Sequence, residues 1–323
     1  MKVVLEKSIY SRAVELFDTA AKIHGLEWCL IEPLEEEKAL AFHQAGAGAF
    51  VIGTKKYSEE FFSALRPGTL VQRFGVGYSS VPTDLCKENS LHVGYTPGVL
   101  EAAVAEHAMA LILALSRTIC TFDREMKAGQ WNKIEGTELR GKTLALIGFG
   151  RIARETAFIA RNGFRMRIAA YGARPAMDPA GRELSDDYFT DLDACLARAD
   201  YVSLHLPDTP QTAGFVNSQF LKKMKPSAFL INTARGSLLN EADLIEALKS
   251  RTIAGAALDV FVEEPYGPSG PDFRTLGNCI LTPHCASNTL EANSRMAEIC
   301  IANCIALATG KTDELVLIPE HKR

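Results

Sequence analysis

The chain has 323 residues and a mass of 35.2 kDa, too long for one ordinary domain and suited to about two of roughly 100–200 residues each. Its 47% hydrophobic and 23% charged composition excludes a disordered or fibrous chain. A net charge of −4 leaves no basic excess for a nucleic-acid backbone or an anionic membrane.

Eight cysteines are scattered without a CxxC pair. That spacing suits neither a zinc site nor a disulfide scaffold, so no metal is expected and a reducing cytosol is. Charges at Lys2, Glu6 and Lys7 interrupt any signal-peptide core. The apolar stretch from Ala102 to Leu115 is broken by Glu106 and His107 and is too short to span a membrane. A soluble, cytoplasmic protein is expected.

Along the chain, short β-branched runs alternate with segments of helical period. Strands are expected at Lys2–Leu5, Ala49–Ile52, Leu70–Phe74 and Leu91–Gly94, with helices at Ser11–His24, capped by Ser11, and near Ser58–Leu65. A single long helix is expected over Glu101–Gly129. The alternation then restarts with Thr143–Ile147, a continuous apolar run suited to a strand buried on both faces. A helix over Arg151–Asn162 with Gly163 as its stop follows. Further strands are read at Arg167–Tyr171, Tyr201–Leu206, Ala228–Asn232, Ala254–Leu258 and Cys279–Leu281. Asn240 is read as the cap of a helix over Glu241–Lys249, and Leu290–Thr309 as a long helix closed by Gly310. The pattern predicts an α/β protein with two doubly wound, Rossmann-like parallel-sheet units.

The sharpest local signal is Gly148-Phe149-Gly150-Arg151-Ile152-Ala153, set between a predicted strand and a predicted helix. Gly148 permits the tight turn, Gly150 lets a pyrophosphate approach, and Ala153 is small enough for helix–strand packing. The first helical amides, at Arg151 and Ile152, would face the anion. A carboxylate for the ribose 2′-hydroxyl is expected at the end of the second strand. There Gly172 follows Tyr171, no acid occurs before Asp178, and Arg174 stands nearby. A guanidinium without a competing carboxylate favours a 2′-phosphate, hence NADP over NAD.

With these residues the chain resembles the D-isomer-specific 2-hydroxyacid dehydrogenases over nearly its whole length. The resemblance rests on Gly75-Val76-Gly77, Thr96-Pro97-Gly98 with Val104–His107, His205-Leu206-Pro207, Ile231–Gly236, Leu258–Phe261 with Glu264-Pro265, and Thr282-Pro283-His284. It implies a discontinuous substrate domain over 1–102 and 287–323, and a dinucleotide-binding domain over 103–286. It also implies a homodimer formed through an arm near 104–140, and cofactor contacts at His205, Pro207, Thr212, Thr233, Ala234, Asp259 and His284. The sequence departs from the family's pattern at Ser79-Ser80, Tyr95 and Cys285-Ala286-Ser287, so the particular 2-hydroxy acid stays open. The last residues, Glu314–Arg323, are too few for a regulatory extension.

The chemistry of the residues points the same way. Reducing a 2-keto acid builds negative charge on the carbonyl oxygen, and His284 suits the role of proton donor because imidazole titrates near neutrality. Glu264 would fix the imidazole's tautomer and favour its protonated form. Arg235 offers a planar fork for the substrate carboxylate, and Val76 and Gly77 would add backbone N–H donors. Another class, a dinucleotide-sensing corepressor-like interaction protein, shares the architecture. The complete Arg/Glu/His set favours the enzyme.

Overall fold

The computed structural model describes residues 1–172, 179–267 and 272–321, apart from the side chains of residues 179, 180 and 182. It divides into two compact units, one of residues 1–100 with 288–323 and one of residues 101–287.

In the first unit the chain runs β1 (Lys2–Glu6), α1 (Lys7–Tyr10), α2 (Val14–His24), β2 (Glu27–Ile31), α3 (Glu36–Gln44), β3 (Ala49–Ile52), α4 (Glu59–Ser63), β4 (Leu70–Arg73), α5 (Thr83–Glu88) and β5 (His92–Gly94). The five strands form a parallel sheet in the order β2-β1-β3-β4-β5. Val4, Phe50, Ile52, Val71 and Val93 pack one face against Phe61 and Phe62 of α4 and Cys86 of α5. Ser58 starts α4 by accepting from the Phe61 N–H at 3.1 Å. Ser11 does not cap α2. It closes the short α1 instead, and α2 begins at Val14 behind an Ala13 with no side-chain cap.

The second unit runs α6 (Glu101–Ser116), α7 (Ile119–Lys127), β6 (Thr143–Ile147), α8 (Arg151–Phe164), β7 (Arg167–Tyr171), α9 (Pro179–Leu184), β8 (Asp187–Phe189), α10 (Leu192–Arg198) and β9 (Tyr201–Leu204). It continues through α11 (Ser218–Lys223), β10 (Phe229–Asn232), α12 (Glu241–Lys249), β11 (Gly255–Leu258) and β12 (Cys279–Leu281). The terminal helix α13 (Leu290–Ala308) returns to the first unit, where it packs on α2 and β4.

All seven strands of the second unit are parallel, in the order β12-β11-β10-β9-β6-β7-β8. Leu144 and Leu146 of β6 point to Met109, Ile112 and Ala157 on the α6–α8 side. Ala145 and Ile147 point the other way, to the layer holding Leu196, Leu221 and Leu244. This double burial accounts for the uninterrupted apolar run Thr143–Ile147.

Two further helix boundaries depart from the sequence expectation. The segment Glu101–Gly129 is two helices bent by 63°. Thr118 adopts left-handed backbone, φ 56°, which ends one helical run before α7 begins. Gly163 lies inside α8, and Arg165 at φ 54° provides the left-handed stop. Asn240 does cap α12, its side chain accepting from the Asp243 N–H at 3.2 Å. Among the described residues no single helix is long and apolar enough to cross a membrane.

Candidate active site

The strand order of the second unit reverses between β6 and β9, because the chain runs outward through β7 and β8 and then returns beside β6. In open parallel sheets, ligands bind beyond the carboxyl ends of the strands at such a point. Gly148 follows β6 with φ 91°, and a Cβ there would stand 2.7 Å from the His205 carbonyl oxygen. Only glycine allows that approach. A Cβ on Gly150, by contrast, would meet no protein atom within 4 Å. Helix α8 starts at the next residue without a side-chain cap, so its first amides and its positive dipole end face open space, an anion cradle suited to a pyrophosphate.

The other expected cofactor residues stand at the carboxyl ends of neighbouring strands. His205 and Pro207 follow β9, and the Thr212 hydroxyl donates to the Pro207 carbonyl at 2.6 Å, holding that loop. The His205 ring is 2.9 Å from Ser203 Oγ, and burial pushes its pKa down to about 4, so it is neutral near pH 7. Thr233, Ala234 and Arg235 follow β10. Thr233 Oγ1 is buried with no hydrogen-bond partner among the described residues, as a group awaiting a ligand would be. The structure therefore fits a dinucleotide at this edge. Arg174 lies outside the described residues. Gly172 lies within them, and a Cβ on it would stand 2.8 Å from the Tyr188 hydroxyl.

Arg235, Glu264 and His284 come together from three different strand ends. Glu264 Oε2 is 2.6 Å from His284 Nδ1, and Glu264 Oε1 accepts from the Phe261 N–H at 3.1 Å. Burial raises the Glu264 pKa. The hydrogen bond and charge of His284, the Phe261 N–H and the Arg235 charge outweigh it, and the carboxyl lies below its ordinary value. His284 has left-handed backbone, φ 51°. Its N–H donates to the Asp259 carbonyl at 2.7 Å and the Thr282 carbonyl at 3.1 Å, and these bonds hold the strained conformation. With Nδ1 engaged by Glu264, Nε2 has no hydrogen-bond partner among the described residues.

The Arg235 loop is braced internally. Asn232 Nδ2 donates to the Arg235 carbonyl at 2.8 Å, and Arg235 Nη1 donates to the Ala234 carbonyl at 2.6 Å. Gly236 must be glycine, since a Cβ would fall 1.9 Å from the Phe261 carbonyl carbon. That close approach sets Arg235 near the loop carrying Glu264. Burial lowers the guanidinium pKa, while the charges of Asp208 and Glu264 raise it. Arg235 has no ion pair within 4 Å to any described carboxylate. A half-buried guanidinium without such a pair is one that could hold an anion.

Asp259, after β11, is fully buried. Burial alone would raise its pKa, but donors from His107, Thr282 and the backbone N–H groups of Cys285 and Ala286 hold it at about 2. The Thr282 hydroxyl donates to it at 2.6 Å, and the two amides at 2.9 Å each. His107 approaches within 3.5 Å. Tyr188 stands at this edge without having been singled out by motif, and His107, which closes the Val104–His107 motif, had been given no role in the site. Val76 and Gly77 lie half-buried in the loop after β4 of the first unit.

A parallel sheet with a glycine turn at its switch point and a carboxylate–imidazole pair beside a half-buried arginine defines a nicotinamide-dependent oxidoreductase. Residues 109–286 match the model of the D-isomer specific 2-hydroxyacid dehydrogenase NAD-binding domain. The chain is 39% identical over 264 residues to the glyoxylate reductase of Thermofilum pendens, covering 80% of this chain and 77% of that one. It is 32% identical to the D-3-phosphoglycerate dehydrogenase of Archaeoglobus fulgidus, over 96% of this chain and 58% of the relative. The NADPH-dependent glyoxylate/hydroxypyruvate reductase of Sinorhizobium meliloti, solved with NADP and malonate, superposes with a TM-score of 0.85. That protein is 27% identical, over 99% of this chain and 97% of its own. The chain belongs to the D-isomer-specific 2-hydroxyacid dehydrogenase family and is an NAD(P)-dependent enzyme.

Proposed function

We propose that the enzyme reduces a small 2-keto acid of the glyoxylate or hydroxypyruvate class to the D-2-hydroxy acid, with NADPH preferred over NADH. The observation that carries the reading is the 2.6 Å Glu264–His284 pair, with the charge of Arg235 acting on Glu264 and no ion pair to Arg235 within 4 Å among the described residues. Glyoxylate reductases among the relatives support the substrate class.

Arg235 holds the substrate carboxylate through its planar fork, which turns the neighbouring carbonyl toward His284. Val76 and Gly77 are assigned, from the motif resemblance, as backbone donors to the substrate. The bound nicotinamide supplies the hydride to the carbonyl carbon. His284 gives the Nε2 proton to the developing alkoxide, while Glu264 accepts the Nδ1–H and stabilises the imidazolium before transfer. In the reverse direction neutral His284 takes the hydroxyl proton. Asp259 is assigned as acceptor for the nicotinamide carboxamide, and His205, Pro207, Thr212, Thr233 and Ala234 as the wall along the cofactor.

The NADPH preference is supported by the missing carboxylate after β7 and by a neighbour solved with NADP. A homodimer is supported by the exposed apolar side chains of Ile119, Met126, Trp131 and Ile134, with Trp131 76% exposed. Eight free cysteines agree with a reducing cytosol. The corepressor-like alternative is not favoured by any of these features. The test is initial-rate kinetics with glyoxylate, hydroxypyruvate, pyruvate and bulkier 2-keto acids against both reduced cofactors. The proposal expects the highest kcat/KM with the two smallest oxygenated acids and NADPH, and turnover of none of them would overturn it.

A further inference from the structure

Three potential ligand atoms meet behind the catalytic histidine that the proposed reaction does not use together. His107 Nε2, an Asp259 carboxylate oxygen and Cys285 Sγ all lie within 4.8 Å of one another. His107 Nε2 is 3.5 Å from Asp259 Oδ1, and Cys285 Sγ is 3.6 Å from the same oxygen. Tetrahedral zinc, with bonds of about 2.0 Å to nitrogen and oxygen and about 2.3 Å to sulfur, separates its ligands by roughly 3.3–3.6 Å. Two of the three edges therefore already have the length a bound cation requires.

The charges favour a cation as well. Asp259 is fully buried and ionised, and among the described residues its only ion-pair partner within 4 Å is His107. The hydroxyl and amide donors from Thr282, Cys285 and Ala286 are neutral. His107 and Cys285 are partly exposed, so the cluster is accessible from their side. One imidazole, one carboxylate and one thiolate are the donor set of zinc-class metals, with a fourth position left for water.

We propose that His107, Asp259 and Cys285 form a binding site for a zinc-class divalent cation whose filling blocks the cofactor's access to Asp259. On binding, the metal–sulfur bond replaces the Cys285 S–H, and that proton leaves to solvent. The Nε2 lone pair of His107 becomes a ligand, with the ring proton on Nδ1. Asp259 Oδ1 exchanges its contact with the thiol for the metal. The inhibition rests on Asp259 being the carboxamide acceptor. The metal site itself rests only on the geometry.

The metal-free full chain is titrated with Co²⁺ and, in competition, Zn²⁺. The expected result is one equivalent bound with a near-ultraviolet thiolate-to-cobalt absorption. Cys285→Ser abolishes that band, and His107→Gln weakens affinity at least about 10-fold. In the unmutated protein Zn²⁺ slows alkylation of Cys285, while the exposed Cys120 alkylates at an unchanged rate as an internal reference. A Co²⁺ spectrum without the thiolate band, or equal Cys285 alkylation with and without Zn²⁺, overturns the site. In kinetics, Zn²⁺ is expected to raise KM for the nicotinamide cofactor, and to do so less in Cys285→Ser measured against its own metal-free rate. A band of full strength with an unchanged cofactor KM overturns the blocking role and the Asp259 assignment, not the metal site.

Discussion

Replacing Glu264 by Gln removes a charge while keeping the shape. The carboxylate now serves two donors, His284 Nδ1 at 2.6 Å and the Phe261 N–H at 3.1 Å. A glutamine has a single oxygen acceptor, and its other terminus is a donor. One of the two contacts is therefore lost or becomes donor facing donor. The contact to His284 carries the charge, and a charge-assisted hydrogen bond contributes about 1.5–3 kcal/mol. Both side chains are close to a third exposed, so the lower end of that range applies. At about 1.4 kcal/mol per factor of ten, kcat/KM for reduction is expected to fall roughly tenfold. The loss follows from the chemistry: without the anion, His284 Nδ1 has no charged acceptor opposite it while Nε2 gives or takes the proton, so reduction and hydroxy-acid oxidation slow together. The assay is kcat/KM for keto-acid reduction between pH 5 and 9 for both proteins. Superimposable profiles would refute the reasoning and remove Glu264 from the proton path.

Arg235→Lys keeps the charge but replaces the fork by a point cation; KM for the keto acid is expected to rise and kcat to fall together in steady-state kinetics, because orientation is lost with binding. Gly236→Ala places a Cβ 1.9 Å from the Phe261 carbonyl carbon, so thermal denaturation is expected to show clear destabilisation and the assay a lost alignment of Arg235 with Glu264. For the cofactor, the wild-type kcat/KM ratio is expected to favour NADPH. A Gly172→Asp side chain would meet the Tyr188 hydroxyl at 2.8 Å, so the preference is expected to turn toward NADH most clearly in Gly172→Asp combined with Tyr188→Phe. A wild-type enzyme tenfold better with NADH would defeat the NADP assignment and leave the dehydrogenase assignment intact.

The two-sheet α/β architecture was legible because each buried strand carries its own pattern. Thr143–Ile147 is apolar on both faces, and both faces are covered. Gly148 was legible too, since a strand–glycine–helix run has few other physical uses. Helix ends were harder. Glycine signalled a stop at Gly163, yet the left-handed positions are Thr118 and Arg165, residues whose propensity argues against that backbone. Packing decides those positions, and packing is not a local property. The strand β2 escaped notice because Glu27–Ile31, with Trp28 and Cys29 at its centre, shows no clean alternation. In the site, motif resemblance pointed to Arg235, Glu264 and His284. Tyr188, across the end of β7, has no such signal, and the motif that ends at His107 gave no hint of its place beside Asp259. Each is carried there from a distant part of the chain, by the pairing of β7 with β8 and by the packing of α6 on β11.

The central claim is that His284 delivers the proton. The direct test is single-turnover reduction of glyoxylate at pH 7 by the His284→Ala enzyme, with cofactor affinity measured in parallel by fluorescence. The account predicts a loss of at least about 10²-fold in the rate of reduction, the lower bound of a general-acid contribution, with cofactor affinity little changed. Reduction at the wild-type rate would contradict it.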